Sequence, residues 1–278
     1  MVRVVKRAYR YRFHPTPEQA AELARTFGCV RYVYHDGELR LAKMRAPLAI
    51  VWSRPLPPRA RPSTVTVSRD SIGRWFVSIL VEEAIRPLPP TNRAVGLDMG
   101  ITTLVTTSSG EKIANLGLER AARRKLARAQ RSLSRKQEGS ANRGKARLRV
   151  AKIYARTADR RRDHLHKISS RLVRENQVIA VEDLSVRNLI RNHRLARSVA
   201  DASWRELRLM LEYKAAWYGR ELVVVDRWFP SSKLCRHCGV VREELPLSSR
   251  AWRCVCGAEH DRDVNAARNI LAAGLADR

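Results

Sequence analysis

AVGLDMG (residues 94–100), VIAVEDL (178–184) and DRDVNAARN (261–269) decide how this sequence is read. The first two are short apolar runs of the kind that form buried strands, and they carry Asp98 and Glu182 at their ends. The third opens a C-terminal helical pattern and carries Asp263. A carboxylate at the end of a buried strand is costly unless it is solvated, paired or metal-bound. Acids gathered from separate segments repel one another, and divalent cations remove that repulsion. Two such ions ~4 Å apart can activate water and stabilise a leaving oxygen in phosphodiester cleavage. Asp98, Glu182 and Asp263 are therefore candidate metal-holding acids. Asp183 and Asp261 stand close by in sequence and compete for the same roles, and physical reasoning on the sequence does not choose between them.

Around these strings the chain alternates strand and helix signals. Residues 2–13 interleave Val, Tyr and Phe with Arg and Lys and read as a strand. At Thr16-Pro17-Glu18-Gln19, Thr16 can cap a helix, Pro17 fits its first position and Gln19 can complete a capping box; the helix is expected to run to about Arg45. PLAIVWSRPLPPRARPS (47–63) reads as a strand and connector. TVTVSRD (64–70) and RWFVSILVEE (74–83) alternate like paired strands with a turn near Ile72-Gly73. RPLPPTNR (86–93) is a proline linker, and AVGLDMGITTLVTTSSGEKI (94–113) reads as two strands joined by a tight turn. A helical pair from about Leu118 to Glu175 breaks near Gly139-Ser140. Its second arm spaces Leu148, Ala151, Ala155, Ala158, Leu165, Ile168 and Leu172 by threes and fours, with Arg162 interrupting. SWRELRLMLEYKAAWYGR (203–220) is an amphipathic helix and ELVVVDRWF (221–229) a further buried strand. A last helix is expected from about Val264. This order is an α/β core with insertions.

Cys235 and Cys238 form C-x-x-C, and Cys254 and Cys256 form C-x-C a short loop later. Two thiolate pairs so placed are a zinc-ribbon arrangement, because zinc favours four tetrahedral thiolates. They imply one structural Zn²⁺, with His260 or His237 as alternatives to Cys256 for the fourth ligand. Such a ribbon, lying just before Asp263, would fix the loop that carries it. Cys29 stands alone on the first expected helix and reads as a packing residue.

Charge points to the partner. Lys and Arg number 55 against 27 Asp and Glu, a net of +28, and no internal pairing neutralises such an excess. A polyanion is the natural partner. Lys and Arg dominate between Arg120 and Arg174, and Arg123, Arg124, Arg128, Arg131 and Arg135 fall mostly on one helical side, as a phosphate-tracking face would. Tyr9 and Tyr11, interleaved with Arg10 and Arg12, either stack on bases or form the core face of a strand. Gly139 to Lys145 spells G-x-x-x-x-G-K, but Ala146 replaces the Ser or Thr a phosphate loop needs, so nucleotide hydrolysis is set aside. His164 and His166, two apart on a helix, do not share a face as metal ligands usually do. The start MVRVVKRAYRYRF places charges where a secretory segment is apolar, and no run approaches the ~18 apolar residues of a membrane helix. A cytoplasmic location without membrane contact is expected.

The three acid strings, with FHPTPEQ (13–19), FGCVRYVY (27–34), GRWFVSILVE (73–82), QRSLSRKQEGS (130–140), DHLHKIS (163–169), PSSKLCRHCG (230–239) and HDRDVNAARNI (260–270), resemble the TnpB, or OrfB-type, family. These are transposon-encoded RNA-guided DNA nucleases related to the type V CRISPR effectors. The resemblance covers nearly the whole chain. It implies an RNase H-like (RuvC) core at 91–230 and 257–278, with a long helical insertion at about 118–175. It also implies a zinc ribbon at 231–256 and an N-terminal wedge-like β-barrel and helix region at 1–90. It makes Asp98, Glu182 and Asp263 the catalytic acids, holding Mg²⁺ or Mn²⁺, and guide RNA and target DNA the partners. Asp263 is preferred to Asp261 because the family places its acid two residues before the Asn matching Asn265. Ser231 and Ser232 match the family's PSS motif. The sequence is short for the family: a recognition lobe and part of the barrel are expected to be missing between Ala46 and Pro47, and His35 stands where Asn is common. The alternative function is a nucleic-acid-binding transposon accessory or degenerate copy without useful cleavage; a strand-transfer transposase is a weaker third reading.

Overall fold

The computed structural model describes residues 3–25, 32–35, 38–42, 44–58, 60–193, 195–246 and 248–277. The chain divides into two compact units, residues 1–86 with 125–156 and residues 87–124 with 157–278.

The first unit is built on an antiparallel sheet. Its elements are β1 (Arg3–Phe13), α1 (Pro17–Arg25), β2 (Tyr32–His35), β3 (Glu38–Leu41), β4 (Ile50–Val51), β5 (Pro62–Arg69) and β6 (Trp75–Ile85), and four strands order as β4-β1-β6-β5. β1 and β6 pair along their whole length, from Arg3 opposite Ile85 to Phe13 opposite Trp75. This register puts Tyr9, Tyr11 and Phe13 on the same face as Val77, Ile79 and Val81, and all six are buried. Tyr9 and Tyr11 are thus core residues, and the base-stacking role considered for them is corrected: their rings are not open to a ligand. At the turn, Asp70 Oδ1 accepts from the N–H groups of Ile72 and Arg74, and Gly73 takes a positive φ of 85°.

α1 begins with the capping box its sequence announces. Gln19 N–H donates to Thr16 Oγ1 at 3.2 Å and Thr16 N–H to Gln19 Oε1 at 3.1 Å. The helix does not continue to Arg45. Tyr32–His35 and Glu38–Leu41 pair as an antiparallel hairpin instead. The physical reason is periodicity: ELRL alternates, and Leu39 and Leu41 are buried on one face. Cys29 lies outside the described residues. Where a lobe was expected to be missing, the connection is packed: Gln19 Nε2 donates to Pro47 O at 3.1 Å, Leu48 N–H to Leu39 O at 2.8 Å, and Met44 and Leu48 are buried.

The second unit holds β7 (Ala94–Asp98), β8 (Thr103–Thr107), β9 (Lys112–Ala114), β10 (Val178–Glu182) and β11 (Glu221–Val225), in the order β11-β10-β7-β8-β9. β10 runs parallel to both β7 and β11, while β7–β8 and β8–β9 are antiparallel. The 94–113 stretch gives three strands rather than two, because Gly110, at φ 96°, closes a second hairpin. β11 is an edge strand and half-buried, not wholly buried as its apolar run suggested.

The helical pair is α2 (Leu118–Ser134) and α3 (Ala141–Glu175). It breaks where expected: Gly139 has φ 77°, and Ser140 Oγ accepts from Arg143 N–H at 3.1 Å as a helix cap. Gly144 and Lys145 lie inside α3, so the phosphate-loop lookalike is a helix start. Leu165, Ile168 and Leu172 are buried, whereas Leu148 and Ala158 are exposed and Ala146 and Ile153 are buried in the first half. The expected stripe is therefore right for the second half of α3 and displaced in the first. Short helices α4 (Val186–Arg191) and α5 (Ala196–Ala202), absent from the sequence reading, precede α6 (Trp204–Tyr218). The small hairpin of β12 (Ala251–Arg253) and β13 (Glu259–Asp261) leads into α7 (Arg262–Ala276).

α7 packs directly on β7 and β10. Two glycines permit this approach: a Cβ on Gly96 would lie 2.1 Å from Ala267 O, and one on Gly274 would lie 2.7 Å from Ala180 Cβ. The close packing sets the N-terminus of α7, with Asp263, relative to the strands that end in Asp98 and Glu182. Gly96→Ala is expected to destabilise the fold by about 1–3 kcal/mol through overpacking against backbone that cannot yield. Denaturant unfolding measures this; an unchanged midpoint would contradict the close-packed contact.

Candidate functional site

Parallel pairing brings the first two acids together. Val181 is opposite Leu97, so Asp98 and Glu182 follow at the same ends of neighbouring strands. Burial pushes the Asp98 carboxyl well above the usual carboxylate range, and the like charges of Glu182 and Asp263 push it further; Arg262 and Arg250 oppose this without cancelling it. Burial also raises Glu182, against a hydrogen bond from Ser231 Oγ to its Oε1 at 2.6 Å that lowers it. Asp263, in the first turn of α7, faces Arg250 at 3.6 Å. The three segments singled out in the sequence thus form one electrostatic cluster.

The two competing acids are otherwise engaged. Asp261 is the N-cap of α7: its Oδ1 accepts from the N–H groups of Asp263 and Val264, and its Oδ2 meets Lys112 Nζ at 2.6 Å. Burial works to raise its carboxyl, but the Lys112 ammonium and those N–H groups prevail and hold it below the usual range. Asp183 is ion-paired to Arg208 at 2.6 Å and to Arg227, and hydrogen bonds from Arg208 above all keep its carboxyl low. Both have their charge matched within the protein, which distinguishes them from Asp98 and Glu182.

The PSS segment is fixed by residues the sequence reading passed over. Asn269 Nδ2 donates to Ser231 O at 2.8 Å and to Leu234 O at 2.7 Å, and Asn265 Nδ2 donates to Leu234 O at 2.8 Å. Both asparagines are buried on α7. Buried amides in an apolar helix pattern are costly unless bonded, and that was the available signal. Through Ser231 they fix the orientation of Glu182. Beside Glu182 opens a cleft of about 990 Å³, lined among others by Met99, Leu184, Trp204, Arg208 and Leu209.

Cys235, Cys238, Cys254 and Cys256 come together, with all four sulfurs within 4.8 Å of one another. Two matching turns make this possible: Gly239 N–H bonds Cys235 O and Gly257 N–H bonds Cys254 O, both glycines at positive φ, 75° and 87°. The shorter C-x-C spacing therefore still delivers Cys256 to the cluster. His260 stands outside the four, with Nε2 3.1 Å from Cys235 Sγ. Burial would raise the Cys235 thiol, but the Cys238 N–H, His260 and further donors bring it down to about 5. Cys238 is lowered by the Val240 N–H but raised more by burial and the neighbouring thiols, to about 12. Sulfurs this crowded cannot all ionise without a cation, so the donor set fits a thiophilic metal such as zinc. Arg123, Arg124, Arg128 and Arg131 on α2, and Arg135 just after it, are exposed; Arg123 is paired to Glu119 at 2.6 Å.

Three family descriptions match: the OrfB type of IS605, described as a probable transposase, over residues 76–193; the TNB domain of Cas12f1-like proteins over 204–270; and a helix-turn-helix domain of OrfB over 1–37. A proposed RNA-guided DNA endonuclease of Streptomyces pristinaespiralis is 50% identical over 366 residues, covering 99% of this chain and 91% of that protein. The chain belongs to the TnpB (OrfB) family. Another TnpB relative, the proposed RNA-guided DNA endonuclease InsQ of Escherichia coli (strain K12), is 38% identical over 229 residues, 76% of this chain and 56% of its own length. Cas12f1, solved in complex with sgRNA and target DNA, shares the fold with a TM-score of 0.55 at 15% identity, over 97% of this chain and 59% of its own. The chain thus spans little more than half the length of those two proteins. The 366 aligned residues also exceed the 278 present here, so this TnpB chain lacks internal sequence that the Streptomyces protein has. The described part of 1–37 is a strand, a helix and a strand, so the helix-turn-helix name does not describe its structure. No helix among the described residues is long and apolar enough to cross a membrane.

The electrostatics give a test with opposite signs at two acids. A raised folded pKa means that stability is lost as pH rises above the unfolded value, ~3.9 for Asp. Asp98→Asn should therefore raise the thermal midpoint at neutral pH without added Mg²⁺ or Mn²⁺, the gain fading toward pH ~4. Asp261, with its lowered pKa, contributes stability above that value and loses it as pH falls; Asp261→Ala should cost about 1 kcal/mol by removing the cap. Thermal unfolding at several pH values checks both, and a destabilising Asp98→Asn would contradict the repulsion described.

Proposed function

We propose that this chain is an RNA-guided, metal-dependent DNA endonuclease, transposon-associated, with Asp98, Glu182 and Asp263 as its catalytic acids. The carrying observation is the convergence of these carboxylates, from three distant segments, with too little positive charge around Asp98 to neutralise them. The strand order β11-β10-β7-β8-β9, with its mixture of parallel and antiparallel pairs, supports an RNase H-like (RuvC) core. The family supports guide RNA and target DNA as partners, given the names of its relatives.

Asp98, Glu182 and Asp263 would hold Mg²⁺ or Mn²⁺, which would supply water activation and charge stabilisation for phosphodiester hydrolysis. The chain's own groups act on orientation. Ser231 fixes one oxygen of Glu182, Asp261 and Lys112 fix the first turn of α7 beneath Asp263, and Asp183 keeps Arg208 and Arg227 in place. The exposed arginines of α2 suit phosphate contact, and binding through them weakens steeply with salt. The four cysteines would hold one structural Zn²⁺, securing the segment between Ser231 and Asp263.

A second reading has its own observation: the alignment longer than the chain. A TnpB chain without that internal sequence retains the acids and the basic face but lacks material that, in guided nucleases, holds and checks the duplex. On that reading it binds nucleic acid and cuts intact duplexes poorly or not at all.

Purified protein should contain one zinc per chain without added metal, and Cys235→Ser should lose it; elemental analysis reads this, and zinc content indifferent to the substitution would remove the ribbon. For catalysis, Asp98→Ala or Asp263→Ala should abolish Mg²⁺- or Mn²⁺-dependent cleavage while leaving binding within a few-fold. Single-stranded DNA should be cut more readily than plasmid supplied with cognate RNA. If Asp261→Ala abolishes cleavage and Asp263→Ala does not, the third acid is misassigned. Absence of cleavage on both substrates favours the binding-only reading.

A further inference from the structure

We infer that Trp228 is a stacking platform for an unpaired nucleobase of the strand presented to Asp98, Glu182 and Asp263. The inference rests on the nuclease reading above and adds a binding residue to it.

Trp228 lies on the turn that follows β11 and is 85% exposed. An indole in solvent is disfavoured, and single exposed aromatics carry meaning only when something fixes them. Here the backbone is fixed on both sides. Asp226 Oδ1 accepts from Trp228 N–H at 2.7 Å, and Phe229 N–H donates to Asp226 O at 3.1 Å. Arg227 is ion-paired to Asp183, the neighbour of Glu182. Three residues after Trp228, Ser231 donates to Glu182 Oε1 at 2.6 Å. Phe229 packs inward against Ala180, Val225 and Ile270. The neighbours of Trp228 on this turn are thus tied to the core or to the acid site, Asp226 and Arg227 through polar contacts made at the surface, and the indole is the exposed apolar group among them.

The turn is also joined to the cleft beside Glu182. Asp183 takes Arg227 from the turn and Arg208 from the cleft wall, the latter at 2.6 Å. On this proposal a strand whose phosphate reaches Glu182 lies beside this junction. Its backbone charge would meet the acids and arginines there, and a flat, rigidly mounted apolar ring offers the face that an unpaired base seeks. Stacking of this kind is tolerant of sequence, because every base has a π-face, which suits a protein that leaves sequence reading to a guide. A duplex would keep its bases stacked internally and could not use the ring, so the platform favours single-stranded substrate.

The test uses the full chain and a single-stranded DNA oligonucleotide, with Ca²⁺ in place of Mg²⁺ in the binding assays. Trp228→Ala should weaken binding at least about fivefold, the lower end for loss of one base stack, while Trp228→Phe should retain most of the affinity. Abasic substitutions scanned along the oligonucleotide should weaken wild-type binding at one main position, and that lesion should have no further effect on Trp228→Ala. Thermal midpoints of both variants should equal wild type, since the ring is exposed. Unchanged affinity in Trp228→Ala, or full additivity with every abasic lesion, would overturn the platform. So would a self-association of wild type that Trp228→Ala abolishes without changing DNA affinity, since the ring would then be a protein contact. Failure of the nuclease reading looks different: Asp98→Ala would leave cleavage unaltered, or no cleavage would be seen, whatever Trp228 does.

Discussion

Burial of carboxylates, reinforced at Asp98 by repulsion, is the constraint on which this structure turns. Parallel pairing of β10 with β7 places Asp98 and Glu182 at neighbouring strand ends, and α7 adds Asp263. Asp98 and Glu182 are held where burial makes ionisation unfavourable, and at Asp98 the like charges of Glu182 and Asp263 add to the effect. The apolar contacts beneath them supply the opposing free energy: Leu97, Ile179, Val181 and Leu165 are almost wholly buried in one cluster.

Around this cluster the surrounding charges are sorted by engagement. Asp261 and Asp183 have their carboxylates matched by backbone N–H groups, Lys112 or arginines, and their work is geometric. Glu182 is oriented by Ser231, which is positioned by Asn269 and, through Leu234, by Asn265. The chain of support therefore runs from two buried amides on α7 to the carboxylate at the end of β10. Gly96 and Gly274 allow it, because α7 could not otherwise lie so close to the sheet. The cysteine cluster lies within the same stretch of chain, between Ser231 and Asp263. Its two glycine-closed turns bring four possible metal ligands together in a segment with a small apolar cluster of its own, Cys235, Leu245, Trp252 and Cys254 among its described residues.

The first unit shows how a shortened member of the TnpB family can remain folded. The connection through Met44 and Leu48 is closed by core packing and by Gln19, a side chain that serves both the α1 capping box and the carbonyl of Pro47. Both Met44 and Leu48 belong to the buried core of this unit, so the connection is part of the packing and not a surface loop.

Local chemistry was legible in the sequence wherever a few adjacent residues sufficed. The Thr16–Gln19 box, the break at Gly139-Ser140, the apolar strands ending in Asp98 and Glu182, and each of the two cysteine turns depend on contacts within a few positions, so the sequence by itself determined them. The hairpin at 32–41 was missed because a helix signal at Thr16 sets a beginning and not an end, while the alternation of ELRL is too short to prevail by inspection. Periodicity also misplaced Leu148, since spacing names a stripe without saying what faces it. Tyr9 and Tyr11 became core only through the register of β1 against β6, a pairing between residues some seventy positions apart, such as Tyr9 with Ile79. Likewise, only the structure shows Asp261 engaged by Lys112 and the first turn of α7, an engagement that supports the proposal of Asp263 for the site. Residue type fixes what a carboxylate can do; how closely each one is matched is a property of its three-dimensional neighbours, because charge is neutralised through space and not along the chain.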